Sequence, residues 1–392
     1  MSNGFLSRKA IGLTCLIVIC VLLVSYGLKG RLGAGKTSDT EFTVGFLAPL
    51  TGDLADYGKR GLNSINMAVE EVNAQGGVKG KKIKVIVEDN KGTPKDAVAA
   101  MQKLVNVDKV PVVIGGLLSG VGLAIAPIAE QSKAVLLAPG SSSPDFREAG
   151  DYCFRNWASD DFDGKVMAGY MYENRGIRSV AVLTMQNDYC LGLSNTFKEN
   201  FAAKGGKIVF DDEFPAETTE FQSLLAKVKA ANPEAVFLSA HPKETGFLLK
   251  QMAELKIEAK IGSNMNAESP DCLSIAGTAA NGVFFTTPAF DPASTDPRLS
   301  QFVAKYNERY GSEPDAVAGH FYDALHILAA AAKNAKDLTP DSIRDALYAI
   351  KDFPGVTGTT TFDEKGDVTK PLMIKEIAGG EGKVLQLYGA NS

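Results

Sequence analysis

The sequence is poor in residues that do chemistry on their own. Its 392 residues hold three histidines, five cysteines and one tryptophan. His320 and His326 lie six apart on one expected helix, so they diverge, and His241 stands far from both. No metal site can be assembled from that set. No serine sits in a Gly-x-Ser-x-Gly elbow. No Gly-x-Gly-x-x-Gly follows the first strand; Gly115, Gly116, Gly120 and Gly122 come near without that spacing. A metal hydrolase, a serine hydrolase and a dinucleotide enzyme all lose their sequence support, so neither catalysis nor a cofactor is expected. Basic excess is also missing. The chain carries a net charge of −5, and beyond residue 34 it has 37 basic against 46 acidic residues. A mildly acidic body argues against nucleic acid as a partner. Cys153, Cys190 and Cys272 are the cysteines outside the N-terminal segment. They are too few for a disulfide framework; one bridge with a free thiol, or three buried thiols packed as small apolar groups, both fit.

The N-terminus has the order of an export signal. Arg8 and Lys9 precede an apolar run from Ala10 to Tyr26, and small residues follow in Ser25-Tyr-Gly27 and Leu32-Gly-Ala34. The run is long for a cleaved signal and borderline for a membrane span of roughly 20 residues, so a retained anchor is the alternative. Neither Cys15 nor Cys20 has the small-residue setting of a lipoprotein signal. Either reading exports the body. Gly30-Arg-Leu-Gly-Ala-Gly35-Lys36-Thr37 matches a phosphate-binding loop by letters. That loop needs a strand before it and a helix after it; here an export segment precedes it and a polar linker follows.

The body alternates strand and helix. Phe42 to Leu47 and Ile83 to Val87 read as strands, with a helix between them faced by Leu62, Ile65, Val69 and Val72. Thr93-Pro94 with Asp96 predicts a capped helix start. Ile208-to-Val236 repeats the strand, acidic turn, helix and strand spacing of Ile83-to-Val112, with Thr219 and Gln222 placed for a capping box. The fold class predicted is therefore α/β, with two doubly wound parallel-sheet lobes. Helices over Pro297 to Tyr310, Pro314 to Asn334 and Pro340 to Ile350, then short strands through Leu387, pack back onto those lobes.

Two loops carry the functional reading. Pro111-Val-Val-Ile-Gly-Gly-Leu-Leu-Ser119 and Ala134-Val-Leu-Leu-Ala-Pro-Gly140-Ser-Ser-Ser143 are apolar strands running out into small residues. Strands apolar on both faces belong to covered parallel sheets, and ligands sit beyond their carboxyl ends. Hydroxyls and backbone N–H groups there suit a small anion such as a carboxylate. Ser119 also reads as the N-cap of the helix that follows, and a helix N-terminus with a free hydroxyl is an anion site. Tyr57 and Tyr189 lie in the first loops of the two lobes, where each either packs at a loop base or, paired across a cleft, forms an apolar wall for a ligand. Trp157 marks where the chain leaves the first lobe, at a hinge, at a rim or in the core.

The chain resembles the periplasmic solute-binding proteins of branched-chain amino-acid ABC transporters, the leucine/isoleucine/valine-binding type, over about residues 41–390. The resemblance rests on Leu50-Thr-Gly-Asp-Leu-Ala-Asp-Tyr-Gly58 and Glu71-Val-Asn-Ala-Gln-Gly-Gly-Val-Lys-Gly80. Phe154-Arg155, Ser159-Asp-Asp161, Ile275-Ala-Gly277 and Phe362-Asp-Glu-Lys-Gly-Asp367 add to it. It implies two lobes crossed three times by the chain, near Trp157, Thr287 and Thr360. The first lobe would hold residues 41–157 and 288–360, the second 158–287 and 361–392, after an export and linker segment over 1–40. It implies a carboxylate held by Ser119 and by the Ser141-Ser142 turn, an ammonium on the Gly140 carbonyl, and Tyr57, Tyr189 and His241 as cleft walls. It also implies a periplasmic location, ABC permease subunits as partners and a monomeric binder.

One position departs from the family. An Asp or Glu commonly pairs the ammonium in the loop matching Ile261-Gly-Ser-Asn264-Met, and here Asn264 stands there. An amide does not neutralise a buried cation, and an unpaired buried charge costs several kcal/mol, as order of magnitude. Glu268 or Asp188 would have to substitute. Otherwise the solute lacks the amine and is an aliphatic or aromatic carboxylate or an amide. The remaining alternatives are a membrane-anchored sensor of the same fold and a doubly wound enzyme.

Overall fold

The computed structural model describes residues 40–389. The expected signal or anchor, the Gly30–Thr37 run, Cys15 and Cys20 lie outside them. Among the described residues no helix is long and apolar enough to cross a membrane.

Two sheets organise the chain. The first contains β1 (Glu41–Ala48), β2 (Lys82–Asp89), β3 (Val112–Gly115), β4 (Val135–Ala138) and β5 (Cys153–Arg155) in the order β2-β1-β3-β4-β5, all parallel. Three helices connect these strands: α1 (Ala55–Ala74), α2 (Pro94–Gln102) and α3 (Ser119–Ser132). The second sheet takes α4 (Asp160–Gly169), β6 (Ser179–Met185), α5 (Asp188–Ala203), β7 (Lys207–Phe214), α6 (Gln222–Ala231), β8 (Ala235–Ser239), α7 (Pro242–Glu254), β9 (Lys260–Ser263), α8 (Pro270–Ala276) and β10 (Phe284–Pro288). The chain then passes through α9 (Pro297–Tyr310), α10 (Ala316–Asn334), α11 (Pro340–Tyr348) and the hairpin of β11 (Phe353–Gly355) and β12 (Gly358–Thr360). It re-enters the second sheet with β13 (Leu372–Ala378) and β14 (Glu381–Tyr388), giving the order β14-β13-β10-β9-β8-β6-β7. The two last strands run antiparallel, so this sheet is mixed where the sequence predicted a parallel one.

Side chains alternate across each sheet and feed a separate apolar core on either face. Phe46, Val112 and Ile114 join the core that includes α1 and α10, whereas Leu47 and Val113 join the core under α2 and α3. Leu183 and Val182 divide in the same way in the second sheet. Central strands β3, β4 and β8 are buried at every residue, while edge strand β7 alternates. The predicted repeat is a topological one. The β2–α2–β3 unit crosses from one side of β1 to the other, and β7–α6–β8 does the same around β6. Each sheet therefore has a switch point, and ligands favour such points beyond the carboxyl ends.

Local signals held unevenly. The Thr93 side chain accepts from Asp96 N–H at 3.1 Å, as the capping pattern predicts. The Thr219–Gln222 box does not form. Phe221 occupies the N-cap of α6 without a side-chain cap, and its N–H donates to Gln251 Oε1 at 2.8 Å. Burial of Phe221 in the core decides that helix start.

The end of β1 and the first turn of α1 are fitted through Gly58. A Cβ there would lie 1.8 Å from the Pro49 carbonyl oxygen. Gly58→Ala is expected to push the turn carrying Tyr57 outward and cost about 1–3 kcal/mol. An unfolding midpoint in urea equal to that of the parent would contradict this packing.

Candidate functional site

The carboxyl ends of the two sheets face one cavity of about 190 Å³. That is small beside the roughly 300–1,000 Å³ sites of drug-sized ligands. The loop after β1 brings Leu54 and Tyr57, the loop after β3 brings Leu117 and Ser119, and the loop after β4 brings Gly140 and Ser142. From the second sheet come Asp188 and Tyr189 after β6, His241 after β8, and Met265 and Asn266 after β9. Trp157, Asp160 and Asp163 close the side nearest the crossing.

Six residues expected from sequence thus meet in one place: Tyr57, Ser119, Gly140, Ser142, Tyr189 and His241. Two do not, and each has a physical reason. The Ser141 hydroxyl turns inward and donates to the Gly116 carbonyl at 2.7 Å, bracing one loop on the other. Asn264 is buried below the cavity. Its amide donates to the Ala240 carbonyl at 3.1 Å, and its oxygen accepts from Asn266 N–H at 3.1 Å. The side chain at the rim of that loop is Asn266, whose oxygen meets the Tyr57 hydroxyl at 3.4 Å. Glu268 does not line the cavity either; it pairs with Lys375 at 3.0 Å. Asp188 does line it, beside Gly120 at the start of α3.

Ser119 is the first residue of α3, not its cap; Leu118 holds the cap position without a side-chain bond. The Ser119 hydroxyl accepts from Ser143 N–H at 3.1 Å, so the two serine loops are joined directly. Beneath them lies Arg155, 1 % exposed. Its Nη1 donates to the Ser141 and Ser143 carbonyls at 3.1 and 2.8 Å, and Nε and Nη2 each reach Asp367 at 2.6 Å. This bidentate pair fixes the turn from underneath and leaves its opposite side facing the cavity. Gly122 permits the arrangement, since a Cβ there would lie 2.0 Å from Ser141 Oγ.

The cavity is electrostatically unusual. Burial holds His241 below its ordinary range, hence neutral, and raises the Tyr57 and Tyr189 phenols. Burial also raises the carboxyls of Asp160, well above the usual range, and Asp163, to about 6. Sequence reasoning gave Asp160 no role, although Ser159-Asp-Asp161 marks it as part of a motif. Trp157, read between hinge, rim and core, lines the cavity and meets His320 with ring centroids 4.3 Å apart and planes tilted by 42°. The described cysteines, Cys153, Cys190 and Cys272, are free and buried. Burial pushes the Cys190 thiol up to about 12, which keeps it inert.

Contacts cross the cleft. Lys243 Nζ of the second lobe lies 2.8 Å from Asp53 of the first, in addition to the Tyr57–Asn266 contact. Two α/β lobes gripping a small, largely apolar cavity through hydroxyls and helix starts define a class, that of two-lobed solute binders. The chain belongs to the periplasmic binding protein family, whose sequence profile matches residues 41–381. It is 30% identical over 365 residues to a Leu/Ile/Val-binding protein homolog of Brucella abortus, covering 92% of this chain and 97% of that one. It is similar to the branched-chain amino acid transporter substrate-binding protein of Streptococcus pneumoniae solved with isoleucine. There the TM-score is 0.82 and the identity 29%, over 89% of this chain and 99% of that one. It is also similar to an ABC-transporter solute-binding protein of Rhodopseudomonas palustris solved with 3,4-dihydroxybenzoic acid. In that case the TM-score is 0.80 and the identity 27%, over 90% and 98% of the two chains.

Arg155→Met removes the cation from a buried pair, leaves Asp367 with only Val368 N–H at 2.7 Å and the longer Arg147 contact at 3.3 Å, and takes the donor from the Ser141 carbonyl. A loss of about 3–5 kcal/mol is expected, read as a lower denaturation midpoint. A shift under 1 kcal/mol, by order of magnitude, would show that the pair is not the anchor of the turn.

Proposed function

We propose that this chain is the extracytoplasmic solute-binding component of an ABC importer, and that it holds a branched-chain or other apolar amino acid between its lobes. The observation that carries this is the meeting of Ser119, Gly140 and Ser142 with Tyr57 and Tyr189 in one cleft. The hydroxyls of Ser119 and Ser142 and the backbone donors at the start of α3 receive the carboxylate. Charge-assisted hydrogen bonds of this kind contribute roughly 1.5–3 kcal/mol each. The aromatic and aliphatic walls take the side chain. Residues 41–157 with 288–360 form one lobe, and 158–287 with 361–392 the other. A solute that touches both favours the closed arrangement only by its differential affinity for it. That shape is what permease subunits would read. Chemistry on the solute is not part of this reading, since the buried His241 and the hydroxyls are arranged to bind.

A second reading, a carboxylate without an amine, draws on Asn264 and on the likeness to the dihydroxybenzoate-bound relative. Both readings place the carboxylate on the same serines. Ser119→Ala with Ser142→Ala is expected to weaken binding by about 100-fold or more while the fold survives. Calorimetry against a panel of amino acids and aromatic acids checks it, and affinity equal to that of the parent would refute the assignment.

A further inference from the structure

The cavity holds two acids, each with one buried carboxyl oxygen that no described residue satisfies. Asp160 is 2 % exposed and lines the cavity, yet its Oδ2 has no hydrogen-bond partner. Asp163 also lines it, with Oδ1 buried and likewise unpartnered. The two are three apart on α4, hence on one face. Acids in a first helical turn usually complement the helix dipole. Exposed Asp161 already does so, with its N–H on the Ser159 hydroxyl. The inward pair calls for a different account.

Among the described residues no cationic side chain is hydrogen-bonded to Asp160 Oδ2 or Asp163 Oδ1. The Arg155 guanidinium is committed to Asp367 and two carbonyls. What the pair does face is the carboxylate subsite. Asp160 N–H donates to the Ser142 carbonyl at 2.8 Å, and the Ser142 hydroxyl bonds the Asp160 carboxyl. An α-amino acid carries its ammonium and carboxylate on one carbon. Receptors for the two must therefore lie side by side, as Asp160 and Ser142 do. The loop at Asn264 has no acid to offer, and Glu268 is paired with Lys375.

We propose that Asp160 and Asp163 receive the protonated amine of the solute, so that this cleft selects a zwitterion. This rests on the proposed function above, and it decides between an amino acid and an amine-free carboxylate. It also has a pH signature. Burial holds Asp163 up at about 6, so protons compete with the ammonium as pH falls through that value. The groups facing the pair are Arg155 from β5, Asp161 on α4, Asp188, Tyr189 and Cys190 at the start of α5, His241 before α7 and Tyr57 on α1. Burial raises the two phenols and the thiol and lowers His241, pushing each toward its neutral form. A carboxyl raised in the folded state adds stability on acidification between its folded and unfolded values. Lost affinity below pH 6 is therefore not lost folding from this group.

The test is calorimetry on the purified full chain. Leucine, valine and phenylalanine are each titrated beside the des-amino acid of the same carbon skeleton, into the parent, Asp160→Asn and Asp163→Asn. At least one amino acid is expected to bind about 100-fold tighter than its des-amino partner. Each variant should narrow that ratio by about tenfold, and affinity in the parent should fall below pH 6. The ratio is measured within one protein preparation, so a fold defect does not imitate the effect. Equal binding of both members of a pair to the parent overturns the proposal while leaving the carboxylate reading intact. A ratio unchanged in both variants also overturns it. Binding of no probe to the parent overturns the amino-acid reading and this inference together.

Discussion

The Arg155–Asp367 pair is the constraint on which the site depends. A buried ion pair is weak evidence for net stability, because desolvation offsets much of the attraction. Its worth here is geometric. The guanidinium uses its planar fork to hold Asp367 on one side and the carbonyls of Ser141 and Ser143 on the other. Arg155 ends β5, where the chain leaves the first sheet, and Asp367 precedes β13, where it re-enters the second. One side chain thus ties the serine turn to two of the segments that pass between the sheets. The loop proposed to receive the solute and the region about which the lobes would hinge are mechanically joined.

The rest of the site follows from topology. Each sheet places its switch point toward the other, so loops after β1, β3 and β4 oppose loops after β6, β8 and β9. The polar groups lining the cavity are hydroxyls, amides, an imidazole that burial holds below its ordinary range, the Asp188 carboxyl, and two carboxyls on α4 raised by burial. Such groups discriminate and orient, and burial raises the nearby Cys190 thiol toward its neutral form. The contacts Lys243–Asp53 and Tyr57–Asn266 cross the cleft. The exposed Lys243–Asp53 pair adds little energy of its own, about 0–1 kcal/mol. A solute touching both sides can then dominate the equilibrium.

Much of this was legible in the sequence because it depends on local pattern. Runs such as Val112–Gly115 and Val135–Ala138 announce covered parallel strands, and the small residues after them announce the site. What escaped the sequence depends on side-chain direction. Ser141 and Ser142 are neighbours with similar chemistry, and only packing against Gly116 and Gly122 tells which one faces inward. Asn264 and Asn266 both donate to the Ala240 carbonyl, and only Asn266 also lines the cavity and meets the Tyr57 hydroxyl. Asp160 looked like an ordinary first-turn acid; its burial follows from the long-range approach of α5 and the Ser142 loop. The antiparallel addition of β13 and β14 was hidden because short tail strands carry no signal of the strand they join.

The most direct measurement is a crystal structure with a bound amino acid. The account expects the carboxylate within hydrogen-bond distance of Ser119 Oγ and the Ser142 hydroxyl, with the Arg155–Asp367 pair intact beneath the turn. A solute bound outside this cleft, or one inserted with its carboxylate toward Asp160 and Asp163 and away from the serines, would contradict it.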